Sequence, residues 1–113
     1  MHKESPLNIL AECNNGYISV CECCNEFNFA YKNILLTFQE EDMLRFFDWI
    51  IENRNSPHHF MPMHHGRSKV FSSPNSNLFL VFHDNELDEV VRMYNETRLI
   101  LEARKVLLQN RMN

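Results

Sequence analysis

Four cysteines and six histidines are the residues of this chain best suited to chemistry, and most of them are clustered. Cys21-Glu22-Cys23-Cys24 contains a Cys-x-x-Cys pair, a spacing that suits a metal ion when it sits on a β-turn. Cys23 is a third candidate, although it lies too close in sequence to complete a tetrahedron easily with both neighbours. A structural zinc needs four ligands, usually thiolates or imidazoles. Further ligands are available from His58-His59 and His64-His65, in a stretch that also holds Met61 and Met63. Thioethers are soft donors and would shift the preference toward Cu(I). The spacing matches no strong metal pattern, so a metal-free hairpin, a zinc site and a copper site all stay open.

Other chemistries fare worse. In thioredoxin-like proteins a Cys-x-x-Cys opens a helix whose dipole activates the thiol. Here Asn25-Glu26-Phe27-Asn28-Phe29 continues as a strand, and Glu22 and Glu26 carry the wrong charge to activate a thiol. With only two glycines, Gly16 and Gly66, there is no glycine-rich phosphate loop. Gly-x-Ser-x-Gly and His-Glu-x-x-His are both absent. Arg67 and Lys69, with the flanking His, have the charge to meet a phosphate or carboxylate, but a solvated loop is the better reading of them. The run Glu40-Glu41-Asp42 reads as charge placed at a helix N-terminus rather than as an acid–base pair. No catalytic constellation is recognisable, which argues against an enzyme without deciding it.

The elements that must position the thiols are legible as periodicities. Ile18 and Val20, then Phe27, Phe29 and Tyr31, then Ile34, Leu36 and Phe38 alternate with period two, the mark of half-buried strands. A turn at Glu22-Cys23 would set Cys21 opposite Cys24, Ile18 opposite Phe27 and Val20 opposite Asn25. A turn at Lys32-Asn33 would set Tyr31 opposite Ile34, Phe29 opposite Leu36 and Phe27 opposite Phe38. Both registers gather the large residues on one face of a meander over residues 16–38. Asn14-Asn15-Gly16 reads as a further hairpin turn, placing Cys13 opposite Tyr17 or Ile18 and away from the other cysteines.

Helix 1 is expected from Met43, Phe46, Phe47, Ile50 and Ile51, spaced as one apolar stripe. Gln39 is a poor cap for it. Residues 57–68 read as a long loop, Lys69–Ser72 and Leu78–Phe82 as strands, and Asn85 to about Gln109 as helix 2. Asn33–Met43 aligns without gaps on Asn77–Leu87, 44 residues on, which is either a duplicated β-β-α unit or shared strand-to-helix grammar. The expected architecture is a single α+β domain over 1–113: two layers, with an antiparallel sheet of four to five strands carrying two helices on one face.

Composition bounds the rest. At 113 residues, 44% of them hydrophobic and 23% charged, the chain is globular rather than disordered. Its net charge of −4 argues against nucleic acid, whose binders carry a basic excess. No apolar run approaches the ~20 residues of a membrane span, and no signal peptide is visible, so a cytoplasmic location is expected. Leu99, Ile100, Leu101, Val106, Leu107 and Leu108 surround the end of helix 2 with aliphatic surface. That surface points to a homodimer, or to cover by the segment Leu7–Ala11.

The string Asn15-Gly16-Tyr17-Ile18-x-x-Cys21-x-x-Cys24, followed by Phe27-x-Phe29 and by Leu36-x-Phe38 with Phe46, resembles a family of small bacterial proteins built on a domain of unknown function with a Cys-x-x-Cys hairpin. The resemblance spans roughly residues 15–108. It implies a small cytoplasmic bacterial protein and carries no activity. The leading reading is therefore a non-enzymatic binding or interaction module. The alternative is a zinc protein with the metal held by Cys21 and Cys24 in a structural or regulatory role.

Overall fold

The computed structural model describes residues 7–112. Four strands form one antiparallel meander: β1 (Leu7–Cys13), β2 (Gly16–Cys21), β3 (Glu26–Tyr31) and β4 (Ile34–Phe38). Helix α1 (Glu40–Asn53) follows, then a 3-10 turn at Pro57–His59. Strands β5 (Lys69–Ser72) and β6 (Phe79–Phe82) form a second, two-stranded sheet, and α2 (Asp84–Met112) closes the chain. The fold class is α+β, as the sequence implies. The β5–β6 pair is its own ladder and does not extend the four-stranded sheet.

The chain divides into two compact units, residues 1–40 with 92–113, and residues 41–91. In the first, β3 alternates between buried and half-buried positions along its whole length. Ile18, Val20, Phe27, Phe29, Tyr31, Leu36 and Phe38 are buried. Met93, Tyr94, Thr97 and Leu101 of α2 complete this unit's core. Thr97 is accommodated there because its hydroxyl donates to the Met93 carbonyl one turn back, at 2.9 Å.

The β3–β4 register agrees with expectation, with Phe27 opposite Phe38, Phe29 opposite Leu36 and Tyr31 opposite Ile34. The β2–β3 register does not. Cys21 lies opposite Glu26, Val20 opposite Phe27 and Ile18 opposite Phe29, so the connection is four residues long rather than two. A slip of two residues leaves every side chain on its original face, which is why the buried set is unchanged. Cys13 lies opposite Gly16 rather than Tyr17 or Ile18, because the turn is the two residues Asn14-Asn15 and Gly16 already belongs to β2. The segment Leu7–Ala11 does not fold over α2; it belongs to β1, an edge strand with a bulge between Ile9 and Ala11. The bulge lets the consecutive residues Leu10 and Ala11 both be buried.

In the second unit, Met43, Phe46, Phe47 and Ile50 of α1 are buried, with Phe71, Leu80, Phe82, Leu87 and Val90. Ile51, expected on the same stripe, is only half-buried. Helix α2 starts with Asp84 and Glu86 in its first turn, where the dipole favours acids. Glu86 accepts from the His83 backbone N–H at 2.8 Å, one arm of a capping box. Helices α1 and α2 begin at Glu40 and Asp84, 44 residues apart, matching the offset of the two similar stretches. Each transition is a strand end, one linking residue and an acidic first turn, so local grammar suffices to explain it. Among the described residues, no helix is long and apolar enough to cross a membrane.

Candidate metal centre

The β2–β3 connection is Glu22-Cys23-Cys24-Asn25. The Cys24 N–H donates to the Cys21 carbonyl at 3.3 Å, and Asn25 turns the chain with φ of 55°. Asn tolerates this left-handed region better than most residues. The turn therefore folds back over Cys21, the last residue of β2, and gathers the sulfurs of Cys21, Cys23 and Cys24 within 4.8 Å of one another. Cys21 and Cys23 sulfurs are 3.3 Å apart. Cys21 is buried while Cys23 and Cys24 are exposed, and none of Cys13, Cys21, Cys23 and Cys24 is in a disulfide.

The spacing can be compared with what an ion requires. At a Zn–S distance of ~2.3 Å, tetrahedral geometry puts neighbouring sulfurs about 3.8 Å apart. The 3.3 Å between Cys21 and Cys23 is shorter than that value, and the other pairs lie within 4.8 Å, so the three sulfurs are spaced on the scale of a zinc site. Cys23 is thus a full member of the cluster. The longer turn gives it the room that a two-residue turn would have denied, and Cys21 no longer faces Cys24 directly. The Glu22 carboxylate is turned toward β1, accepting from Asn8 Nδ2 at 2.7 Å.

The remaining sequence candidates go elsewhere. Cys13 sits at the opposite end of the β1–β2 ladder from Cys21, whose partner is Leu7. Gly16, the partner of Cys13, is five positions from Cys21 along β2, about 17 Å at ~3.4 Å per residue. The structure does not gather His58, His59, His64 and His65 with the thiols; among the described residues the cluster consists of the three cysteines. His59 is committed to packing: its ring stacks on Phe71 at 5.0 Å, meets Trp49 edge-on at 5.1 Å, and places Nδ1 3.3 Å from the Val70 carbonyl. His65 Nδ1 accepts from the Arg67 N–H at 3.1 Å. His58 and His64 are exposed.

Beside the thiol turn lies a groove of about 290 Å³ whose lining sequence reading did not foresee. Val20, Phe27, Leu101 and Leu108 give it apolar walls, and Glu22, Asn25, Arg104 and Lys105 a polar rim. Lys105 is held by Glu40 at 3.3 Å. No sequence signal links residues so far apart.

The fold and the thiol cluster define a small α+β protein with a cysteine-rich hairpin. The chain belongs to a family of unknown function, DUF6686, whose model matches residues 1–111. No curated protein matches the chain, and no solved structure does.

Proposed function

We propose that this protein is a non-enzymatic metal-binding module that takes one zinc ion through the Cys21, Cys23 and Cys24 thiolates. The observation that carries this reading is the convergence of three sulfurs, one from the last residue of β2 and two from the four-residue turn that follows it. Three thiolates leave a fourth position on the ion open, and the exposure of Cys23 and Cys24 turns that position toward solvent. The β2–β3 ladder is paired over all six residues of each strand, so the hairpin has stabilisation of its own. Both features favour a regulatory or partner-binding ion over a purely structural one. Titration of the reduced protein with Co(II) tests this. One equivalent per chain with thiolate-to-metal charge-transfer bands, bleached by zinc and lost in Cys23→Ser, is expected. Four thiols that titrate freely in the presence of zinc would defeat it.

A second reading concerns assembly. Leu99, Val106, Leu107 and Leu108 are each more than half exposed. Leu99, Ala103, Val106 and Leu107 fall along one side of α2, opposite the buried series Val90, Thr97 and Leu101. We infer that two copies pair through this second stripe, since aliphatic surface of this kind marks an interface. Leu101 is not part of it, because it is buried in the core.

A further inference from the structure

The segment between the 3-10 turn and β5 is a closed loop with a defined shape. Phe60 bridges to Lys69, and the Met61 N–H donates to the Ser68 carbonyl at 2.8 Å. The Gly66 N–H donates to the Met63 carbonyl at 3.0 Å, and Gly66 takes a φ of 79° that favours glycine. Arg67 ties the base of the loop to α2 through a two-pronged contact with Glu86, at 2.9 and 3.2 Å. The backbone at the tip is thus fixed by its own hydrogen bonds and by an ion pair.

The tip carries Met61-Pro62-Met63-His64-His65, and these five residues line an open surface hollow of about 380 Å³. Proline fixes its own φ and favours an extended residue before it, which narrows the conformations of the tip, and Met61 and Met63 both line the same hollow. Both methionines are exposed residues, at 54% and 38%. The lining holds neutral soft donors and imidazoles but no carboxylate. Such a donor set suits a soft monovalent cation and disfavours Mg²⁺, Ca²⁺ or Mn²⁺. The two imidazoles are not equivalent. Donation from Arg67 to Nδ1 of His65 puts that ring's proton on Nε2, leaving no lone pair for a metal. His64 is the imidazole left to complete the set.

We propose that the tip of this loop binds a cation of the Cu(I) or Ag(I) kind through the thioethers of Met61 and Met63, with His64 as third donor. This site is separate from the thiol turn and does not depend on it. Ag(I), which does not change oxidation state in the assay, is the probe. Reduced protein carrying ¹³C in its methionine methyl groups is titrated with Ag(I) until the thiols are saturated and beyond. One further ion is then expected to move the Met61 and Met63 methyl resonances together, while fully buried Met43 and Met93 stay in place. A Met61→Leu, Met63→Leu double variant should lose that one ion and keep those taken by the thiols. His64→Gln should weaken its binding at least tenfold, and His65→Gln should leave it within about twofold. Methyl resonances of Met61 and Met63 that ignore Ag(I), or a double variant that binds as many ions as the parent, would overturn the site. Equal weakening by His65→Gln would overturn the choice of third donor. Failure at the thiol turn would instead remove ions from parent and variant alike, leaving the methyl shifts intact.

Discussion

Gly16 and Ala30 approach so closely that a Cβ on Gly16 would lie 1.9 Å from the Ala30 carbonyl oxygen and 2.8 Å from the Tyr31 Cα. Both obstacles are backbone atoms inside the β2–β3 ladder, where Tyr17 pairs with Ala30 and Gly16 with Tyr31. Neither can rotate away. The Lys32 N–H donates to the Asn15 carbonyl at 2.7 Å, which locks the adjacent turn onto the same edge. Gly16→Ala must therefore separate strands, and a destabilisation of about 3 kcal/mol or more is expected, at the upper end of overpacking costs. Urea unfolding followed by amide hydrogen exchange of the β2 and β3 residues would measure it. A cost under about 1 kcal/mol would show that β2 and β3 do not meet in this register.

The distance between Cys13 and the thiol turn makes a paired prediction. Cys13→Ser should leave metal stoichiometry and affinity unchanged, because the residue closes the hairpin at the far end of β1–β2. Cys23→Ser should remove a thiolate and lower affinity for Co(II) or zinc at least tenfold, with little change in stability, since Cys23 is exposed. Competition against a chromophoric chelator reads both. Loss of metal in the Cys13 variant would mean that β1 does not run as described.

The two faces of the sheet should respond unequally to truncation. Phe29 is 1% exposed and stacks beside Tyr31 at a ring separation of 6.1 Å. Phe29→Ala is expected to cost about 3–5 kcal/mol, from lost burial and the cavity left behind. Leu35, on the opposite face of β4, is 49% exposed, and Leu35→Ala should cost under about 1.5 kcal/mol. Comparable costs at the two positions would reverse the facing of the strands.

These contrasts show why some parts of the molecule could be read from sequence and others could not. Facing depends only on parity, so Phe27, Phe29 and Phe38 fall correctly even when the β2–β3 register is displaced by two. Loop length depends on turn chemistry, and Glu22-Cys23-Cys24-Asn25 carries none of the glycine signals that select a two-residue turn. That one ambiguity decides whether Cys23 belongs with Cys21 and Cys24. Strand β1 is legible only at its Asn14-Asn15-Gly16 turn, and its extent is obscured for another reason. Its bulge buries Leu10 and Ala11 in succession and breaks the alternation. The loop over 57–68 looks unstructured in sequence because its anchor, Arg67 to Glu86, spans 19 positions.

That anchor is itself testable. Glu86 is 5% exposed, and its carboxylate receives Arg67 and the His83 N–H together. Arg67→Ala would leave a buried carboxylate short of its charged partner. Arg67 is partly solvated, so the expected cost is about 1–3 kcal/mol rather than that of a fully buried pair. Faster amide exchange over residues 60–68 should accompany it, because the loop loses its tie to α2. A variant whose exchange and unfolding midpoint match the parent would show that the backbone hydrogen bonds alone hold the loop.

The last prediction concerns the far end of α2. Residues 102–111 are all exposed, ten residues covering about 15 Å at 1.5 Å per residue. An aliphatic side chain is worth ~1.5–3 kcal/mol on full burial, so Leu99, Val106 and Leu107 together favour a covering partner. Arg98 and Glu102, with nitrogen and oxygen 3.9 Å apart, lie on this part of the helix and would border the stripe. Leu99→Glu combined with Leu107→Glu places charge on the stripe without touching the buried Leu101. A folded monomer is expected from this variant, against a dimer for the parent at micromolar concentration, measured by sedimentation equilibrium. Circular dichroism should be unchanged, since both substituted positions are exposed in the isolated chain. A parent protein that sediments as a monomer across that range would remove the argument for pairing and leave this stripe as surface for a different partner.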